Sequence, residues 1–397
     1  MSVKNKAGVK NEAGRAVLLL GAMGFWVMGD NYAASPMLVD IAQDFGLEIG
    51  TAAMVVVAYM IPFGLFTFIF GPLGDRYGKL RIIAVASFGT AIFSSLGALA
   101  FNLPSLLAVR AVNGGFAAAI LPVSVSYIGD IFKEPRAEMN AIGQMMGMFF
   151  LGAAAATAIG GGLSFLGSWR LVYLTYGIAE LIIVIIILKS LEFDRGTAEK
   201  LGFRRAYSNA FARPRLLKTV VLLFLVGFAV FGSFTYLGDF LVEMTGYNIL
   251  VVGLILTLFG LAAFAGGRRV GNMRQLLGPR LFLLAGIIGL ISWSPLGFWP
   301  GLVFALLALI GFGLAFVILQ STILVTAQKQ MPQQRGTVMS LASFNMFVGG
   351  GVGVATNRML LNFWGYQVIY LVAGIAVLMV GLLVFRIIKE LEMDLSV

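Results

Sequence analysis

Cysteine and histidine are both absent from this chain. Without cysteine there are no disulfides, no thiol nucleophile and no zinc-thiolate centre; without histidine the commonest general base and metal ligand is missing as well. An enzyme, a metal site and an organic cofactor are therefore not expected. Charge is scarce too, at 12% of residues against about 25% in a soluble domain. With 59% of residues hydrophobic, most of the chain is read as lying in lipid.

What the sequence has in place of charge is apolar length. Runs of about 18 to 25 apolar residues, enough to cross a hydrocarbon core of ~30 Å, begin near Ala16, Thr51, Ile82, Pro104, Met139 and Arg170, and again near Thr219, Leu250, Leu281, Pro300, Thr337 and Gly365. Twelve spans put both termini on one side. Lys4, Lys6, Lys10 and Arg15 lead into a full-length apolar run, so the first span is read as a retained helix and not as a cleaved signal. The positive-inside rule places those residues in the cytoplasm, with Arg76, Lys79, Arg81, Lys133, Arg136, Arg335 and most other basic residues. Only Arg110, Arg170 and Arg358 are left over, and the acidic Asp40, Asp44 and Glu48 fall outside. The formal net charge of +10 is then a topology signal and does not point to nucleic acid. The expected location is the plasma membrane, the inner membrane in a bacterium.

The longest non-apolar stretch, about Leu191 to Lys218, splits the chain. It divides an amino-terminal six-helix bundle (1–190) and a carboxyl-terminal one (217–397) with a cytoplasmic linker between (191–216). The halves echo each other. Arg136 leads by sixteen residues to Gly152, and Arg335 leads by the same step to Gly351. Repeated bundles around a central site are a common transporter design.

Between the second and third spans lies Gly71-Pro72-Leu73-Gly74-Asp75-Arg76-Tyr77-Gly78-Lys79-Leu80-Arg81. The glycines permit close backbone approach and a tight turn, and Asp75 can accept from a helix amino terminus or pair with Arg76 or Arg81. A worn counterpart, Gly267 to Arg280, sits between the second and third spans of the other half. Leu106-x-x-x-Arg110-x-x-Asn113-Gly114 lies in the fourth span, and Gly143, Gly152, Gly160 and Gly161 in the fifth.

These patterns resemble those of the major facilitator superfamily, within it the drug/proton antiporter group. Gly71 to Arg81 looks like the family's loop between helices 2 and 3. The fourth-span motif is similar to that of proton-coupled members, with Asn113 for the usual Gln. The fifth-span glycines keep the antiporter spacing, but Ala156-Thr157 replaces its Gly-Pro pair. Asp30 and Pro36 resemble the first helix of drug/proton antiporters. The resemblance implies an all-α membrane protein of twelve transmembrane helices in two six-helix bundles, working by alternating access. It also implies a cytoplasmic conformational latch made of Gly71, Gly74, Asp75, Arg76, Gly78, Lys79 and Arg81 with Asp130, the acid at the end of the fourth helix.

An ionisable group inside a span is costly and is a functional candidate by default. Asp30 lies eight residues before Leu38, roughly 12 Å below the outer end of its helix, and Arg110 lies six residues after Pro104, roughly 9 Å deep. The depths nearly agree, so the two can meet and offset each other's burial cost. Protonating Asp30 would then release Arg110, and a cationic substrate would compete for the same carboxylate; a static ion pair is the plainer reading. Glu180, mid-span in the sixth helix, must be neutral or paired, as a structural residue or a second proton carrier. Phe25, Asn31, Gln144, Asp239, Gln320 and Asn345 are candidates for lining a cavity, although interhelical hydrogen bonding explains the amides equally well. Trp26, Met145, Met146, Met148 and Phe149 would make a soft wall for lipophilic compounds or simply pack the core.

The expectation is a monomeric secondary transporter exporting small organic, lipophilic or cationic compounds in exchange for protons. Its partners are substrate, protons and membrane lipid, and its energy is the proton gradient. A dedicated carrier for a sugar, amino acid or siderophore is the main alternative, and a non-transporting receptor a distant one.

Overall fold

A computed structural model describes residues 3–34, 37–52, 54–166, 168–196, 203–299 and 301–394. Among the described residues, eleven helices are long and apolar enough to cross a membrane. In chain order with the first helix they are α1 (Val3–Ala33), α2 (Met54–Tyr77), α3 (Lys79–Gly97), α4 (Leu103–Ile131), α5 (Pro135–Leu166), α6 (Trp169–Ser190), α7 (Pro214–Phe234), α8 (Ile249–Gly267), α9 (Arg280–Trp293), α10 (Leu302–Gln330), α11 (Arg335–Trp364) and α12 (Tyr366–Asp394). The first of these has the length of a span, but Asp30 and Asn31 dilute its apolar stretch; it takes its place by packing on α5 and α6. The twelve-helix reading holds, in two six-helix bundles.

Local chemistry sets several boundaries. Asn102 caps α4 by accepting from the Ser105 amide while the Ser105 hydroxyl serves the Asn102 amide. The same helix is interrupted at 118–119 because Pro122 lacks an N–H and its ring opposes the carbonyl of Ala118. Pro214 starts α7, in the position where a missing N–H costs nothing. Two expectations need amending. The stretch around 191–216 contains a helix, Phe203–Phe211, which buries Ala206 and Ala210. The turn after α2 rests on Gly78 alone, the only glycine of that motif with a positive φ, 97°. Gly71 and Gly74 lie inside α2.

The halves meet along two seams, α5 against α8 and α2 against α11. The first is a glycine zipper running from one membrane face to the other. A Cβ on Gly143, Gly147 or Gly271 would press into the backbone of Gly267, Phe264 or Arg136 respectively, and one on Gly253 would come within 3.0 Å of the Ala158 amide nitrogen. In lipid such small residues supply the attraction by letting backbones approach. At the second seam the contacts run from Asp75 and Gly71 through Phe68–Phe344 (ring centroids 4.3 Å) to Phe63–Phe347 (4.7 Å). Farther along, Gly64 and Gly351 each face open space, and Met60 and Met359 are exposed. We expect Gly147→Val to cost at least about 1–3 kcal/mol through overpacking, read as a lowered Tm of purified protein. Gly162→Ala, at a position with nothing within 4 Å, serves as the neutral control.

Candidate functional site

One polar cluster lies inside the amino-terminal bundle. Arg110 Nη1 donates to Asp30 Oδ1 at 3.0 Å, and Asn113 Nδ2 donates to Asp30 Oδ2 at 2.6 Å. The Asp30 backbone carbonyl accepts from Arg110 Nη2 at 3.4 Å. Asn113 is three residues after Arg110, so one face of α4 presents both donors to α1. The guanidinium lies over the rings of Tyr59 and Tyr173, 4.4 and 5.3 Å from their centroids. These π faces stabilise the cation where water is excluded. Asp30 is 1% exposed and Arg110, Asn113 and Glu180 are 0% exposed. The expected meeting of Asp30 and Arg110 is found. In this conformation both are buried, at 1% and 0% exposed.

Glu180 stands in the same interior, and neither of its oxygens makes a hydrogen bond. The remaining candidates scatter. Phe25 and Trp26 are half-buried and packed edge to face, 5.3 Å between centroids. Asn31 is buried and Gln144 half-buried. Gln320 donates to the Met346 sulfur at 3.0 Å, and Asn345 donates to the Leu341 carbonyl of its own helix at 2.9 Å. The methionine wall is core: Met145, Met146 and Phe149 are buried. The side chains of Asp239 and Arg358 lie outside the described residues, as does Pro36.

The second cluster closes the basic face. Asp75 accepts from the amides of Gly336 and Thr337, both at 2.9 Å, and from the Thr337 hydroxyl at 3.1 Å. A carboxylate from one half thus caps the amino terminus of α11 in the other, where free N–H groups and the helix dipole favour negative charge. Of the partners foreseen for Asp75, the helix terminus is the one observed, and Lys79 takes the place of Arg76 and Arg81, with Nζ 3.5 Å away. Arg76 instead lies over the Tyr77 ring, and Arg81 is exposed. Lys79 also reaches Asp130 at 2.6 Å, and Arg335 joins Asp130 (3.4 Å) to Glu138 (2.9 Å). Asp194 binds the Lys79 and Leu80 amides, both at 2.7 Å, capping α3. At the pseudo-equivalent contact by the α5–α8 seam an amide stands in place of the carboxylate: Asn272 accepts from Asn140 at 3.0 Å and from Arg136, and Asn140 accepts from the Gly271 amide at 2.7 Å. Tyr207 of the connecting helix donates to the Phe68 carbonyl at 2.7 Å. Burial pushes its hydroxyl above the ordinary tyrosine range, so it stays a neutral donor. Sequence reading missed Asp194, Glu138 and Arg335 as members of this charged cluster, and Tyr59 and Tyr173 as the rings beside Arg110. The repeated Arg136 and Arg335 were the one visible signal for any of them.

Two helical bundles, an ion pair buried inside the first of them and a charged cluster joining them at one face make up this geometry. The chain belongs to the Major Facilitator Superfamily, whose family model matches residues 20–354. It is 26% identical over 305 residues to the chloramphenicol resistance protein of Streptomyces lividans, covering 74% of each chain. It is 24% identical to the MFS-type transporter YceJ of Bacillus subtilis, over 85% of this chain and 87% of that one. The multidrug efflux pump LfrA of Mycolicibacterium smegmatis is 32% identical over 145 residues, 36% of this chain and 29% of the pump. The fold of the E. coli fucose:proton symporter superposes with a TM-score of 0.73 at 16% identity, covering 94% and 98% of the two chains.

Proposed function

We propose that this protein exports small lipophilic or cationic organic compounds in exchange for protons. The basic face is cytoplasmic, both termini lie on that side, and 1–190 and 217–397 move as the two halves about a linker at 191–216. The observation that carries the reading is the buried Asp30–Arg110–Asn113 cluster, an ionisable set inside the membrane in a chain whose relatives include resistance and efflux proteins. Asp30 takes the proton. The latch around Asp75 holds the cytoplasmic side closed, and its release exposes the space between the bundles to the cytoplasm. The burial of Asp30 and its bonds to Arg110 and Asn113 support a coupling of proton to substrate that runs through helix positions rather than through competition for one carboxylate.

The test is proton movement in energised inside-out vesicles given a panel of lipophilic cations, chloramphenicol and neutral metabolites. Cations or chloramphenicol are expected to discharge the pH gradient with native protein, and Asp30→Asn to reduce the rate at least about 100-fold, the scale of losing a positioned proton carrier. A discharge by Asp30→Asn equal to native would remove Asp30 from coupling. A response to sugars or amino acids alone would replace the export of lipophilic compounds by a dedicated carrier.

A further inference from the structure

The cluster around Arg110 contains one cation and two carboxyl groups, all buried. Glu180 is 0% exposed, and its two oxygens are among a group of buried polar atoms without a hydrogen-bond partner. The same group includes Arg110 Nε, Asn113 Oδ1 and the hydroxyls of Tyr173 and Tyr176, all buried in the amino-terminal bundle. The charged neighbours of Glu180 are Asp30 from α1 and Arg110 from α4, and the Thr90 hydroxyl of α3 beside it donates to the Ser87 carbonyl at 2.9 Å. Tyr59 from α2 and Tyr176 from α6 each feel both carboxyl groups. Arginine stays protonated in proteins. An uncompensated charge in such an interior costs several kcal/mol or more, so the neutral arrangement of the three groups, one guanidinium with one carboxylate, is the stable one. Asp30 holds the two charge-assisted hydrogen bonds, from Arg110 and Asn113, and is the ionised member.

We propose that Asp30 and Glu180 share a single proton. It resides on Glu180 while Arg110 is paired with Asp30, and passes to Asp30 when Arg110 turns to Glu180. In that exchange one O–H bond on Glu180 breaks and one on Asp30 forms, the ion pair changes partner, and the net charge of the interior stays constant. This rests on the proton-coupled reading but concerns how the protein stores the proton, which needs no substrate to observe.

Infrared difference spectroscopy of purified protein at neutral pH, in H2O and D2O, tests it. Native protein is expected to show a deuterium-sensitive carbonyl band of a buried carboxylic acid, and Glu180→Gln to lose it completely. The discriminating variant is Asp30→Asn. With Asp30 neutral, Glu180 must ionise to balance Arg110, and the band is expected to vanish although Glu180 is still present. A merely structural protonated Glu180 would keep its band in Asp30→Asn, and that result overturns the proposal. So does a native spectrum without a band that Glu180→Gln removes. Failure of the vesicle assay with these infrared results intact would instead count against proton-coupled export alone.

Discussion

Arg110→Met is expected to destabilise the folded protein by about 3–5 kcal/mol, the cost of leaving a buried partner charge uncompensated. The orphaned Asp30 then keeps Asn113 as its one side-chain donor in place of a cation. Arg110→Met combined with Asp30→Asn is expected to recover most of the stability, since the double variant buries neither charge. Thermal unfolding of the four proteins in the cycle, followed in detergent, checks this. Simple additivity of the two single losses would show that the pair contributes nothing as a pair. Recovery of stability without recovery of proton-driven flux would separate the ion pair's structural role from its role in coupling.

Asp75→Asn is the second large effect. The carboxylate makes two bonds to backbone amides of α11, and hydrogen bonds to a charged group contribute about 1.5–3 kcal/mol each. Asparagine keeps one acceptor oxygen but turns an NH2 toward an N–H donor, so the closed arrangement loses at least one bond and gains a repulsion. A loss of that size moves the closed-to-open ratio by one to two powers of ten, roughly. The absence of cysteine makes the readout direct. Cysteines placed at Phe68 and Phe344, whose rings are 4.3 Å apart, report closure of the α2–α11 seam by disulfide formation. The initial cross-linking rate is expected to fall about tenfold in Asp75→Asn. An unchanged rate would mean that Asp75 caps α11 without holding the halves together.

Much of this architecture was legible in the residues. Apolar run length locates the spans, because a bilayer imposes one length on every helix. Depth arithmetic from the ends of the first and fourth spans brought Asp30 and Arg110 together, because a helix has a fixed rise. Charged residues in apolar runs stand out, which is why Glu180 was visible. The latch partners were not visible, because they are joined across separations that no local pattern encodes: Asp75 to Gly336 spans 261 residues and Glu138 to Arg335 spans 197. Tyr59 and Tyr173 were hidden for another reason. In a chain with 12% aromatic residues, a ring that cradles a cation looks in sequence like any ring that fills the core. Among the polar cavity candidates, Gln320 donates to the Met346 sulfur and Asn345 to a carbonyl one helical turn back, contacts that sequence alone does not tell from a cavity lining.

The glycine zipper between α5 and α8 sets the mechanics of any opening. Helices in backbone contact can roll on each other, but parting them leaves a gap that neither lipid nor water fills well. The zipper thus acts as the spine of a book, and the α2–α11 edge, joined by charge at the basic face and by phenylalanine pairs beyond it, as its looser margin. Losing the Asp75 contact is therefore expected to part the pages first at the corner where charge holds them, while α5 and α8 stay in touch.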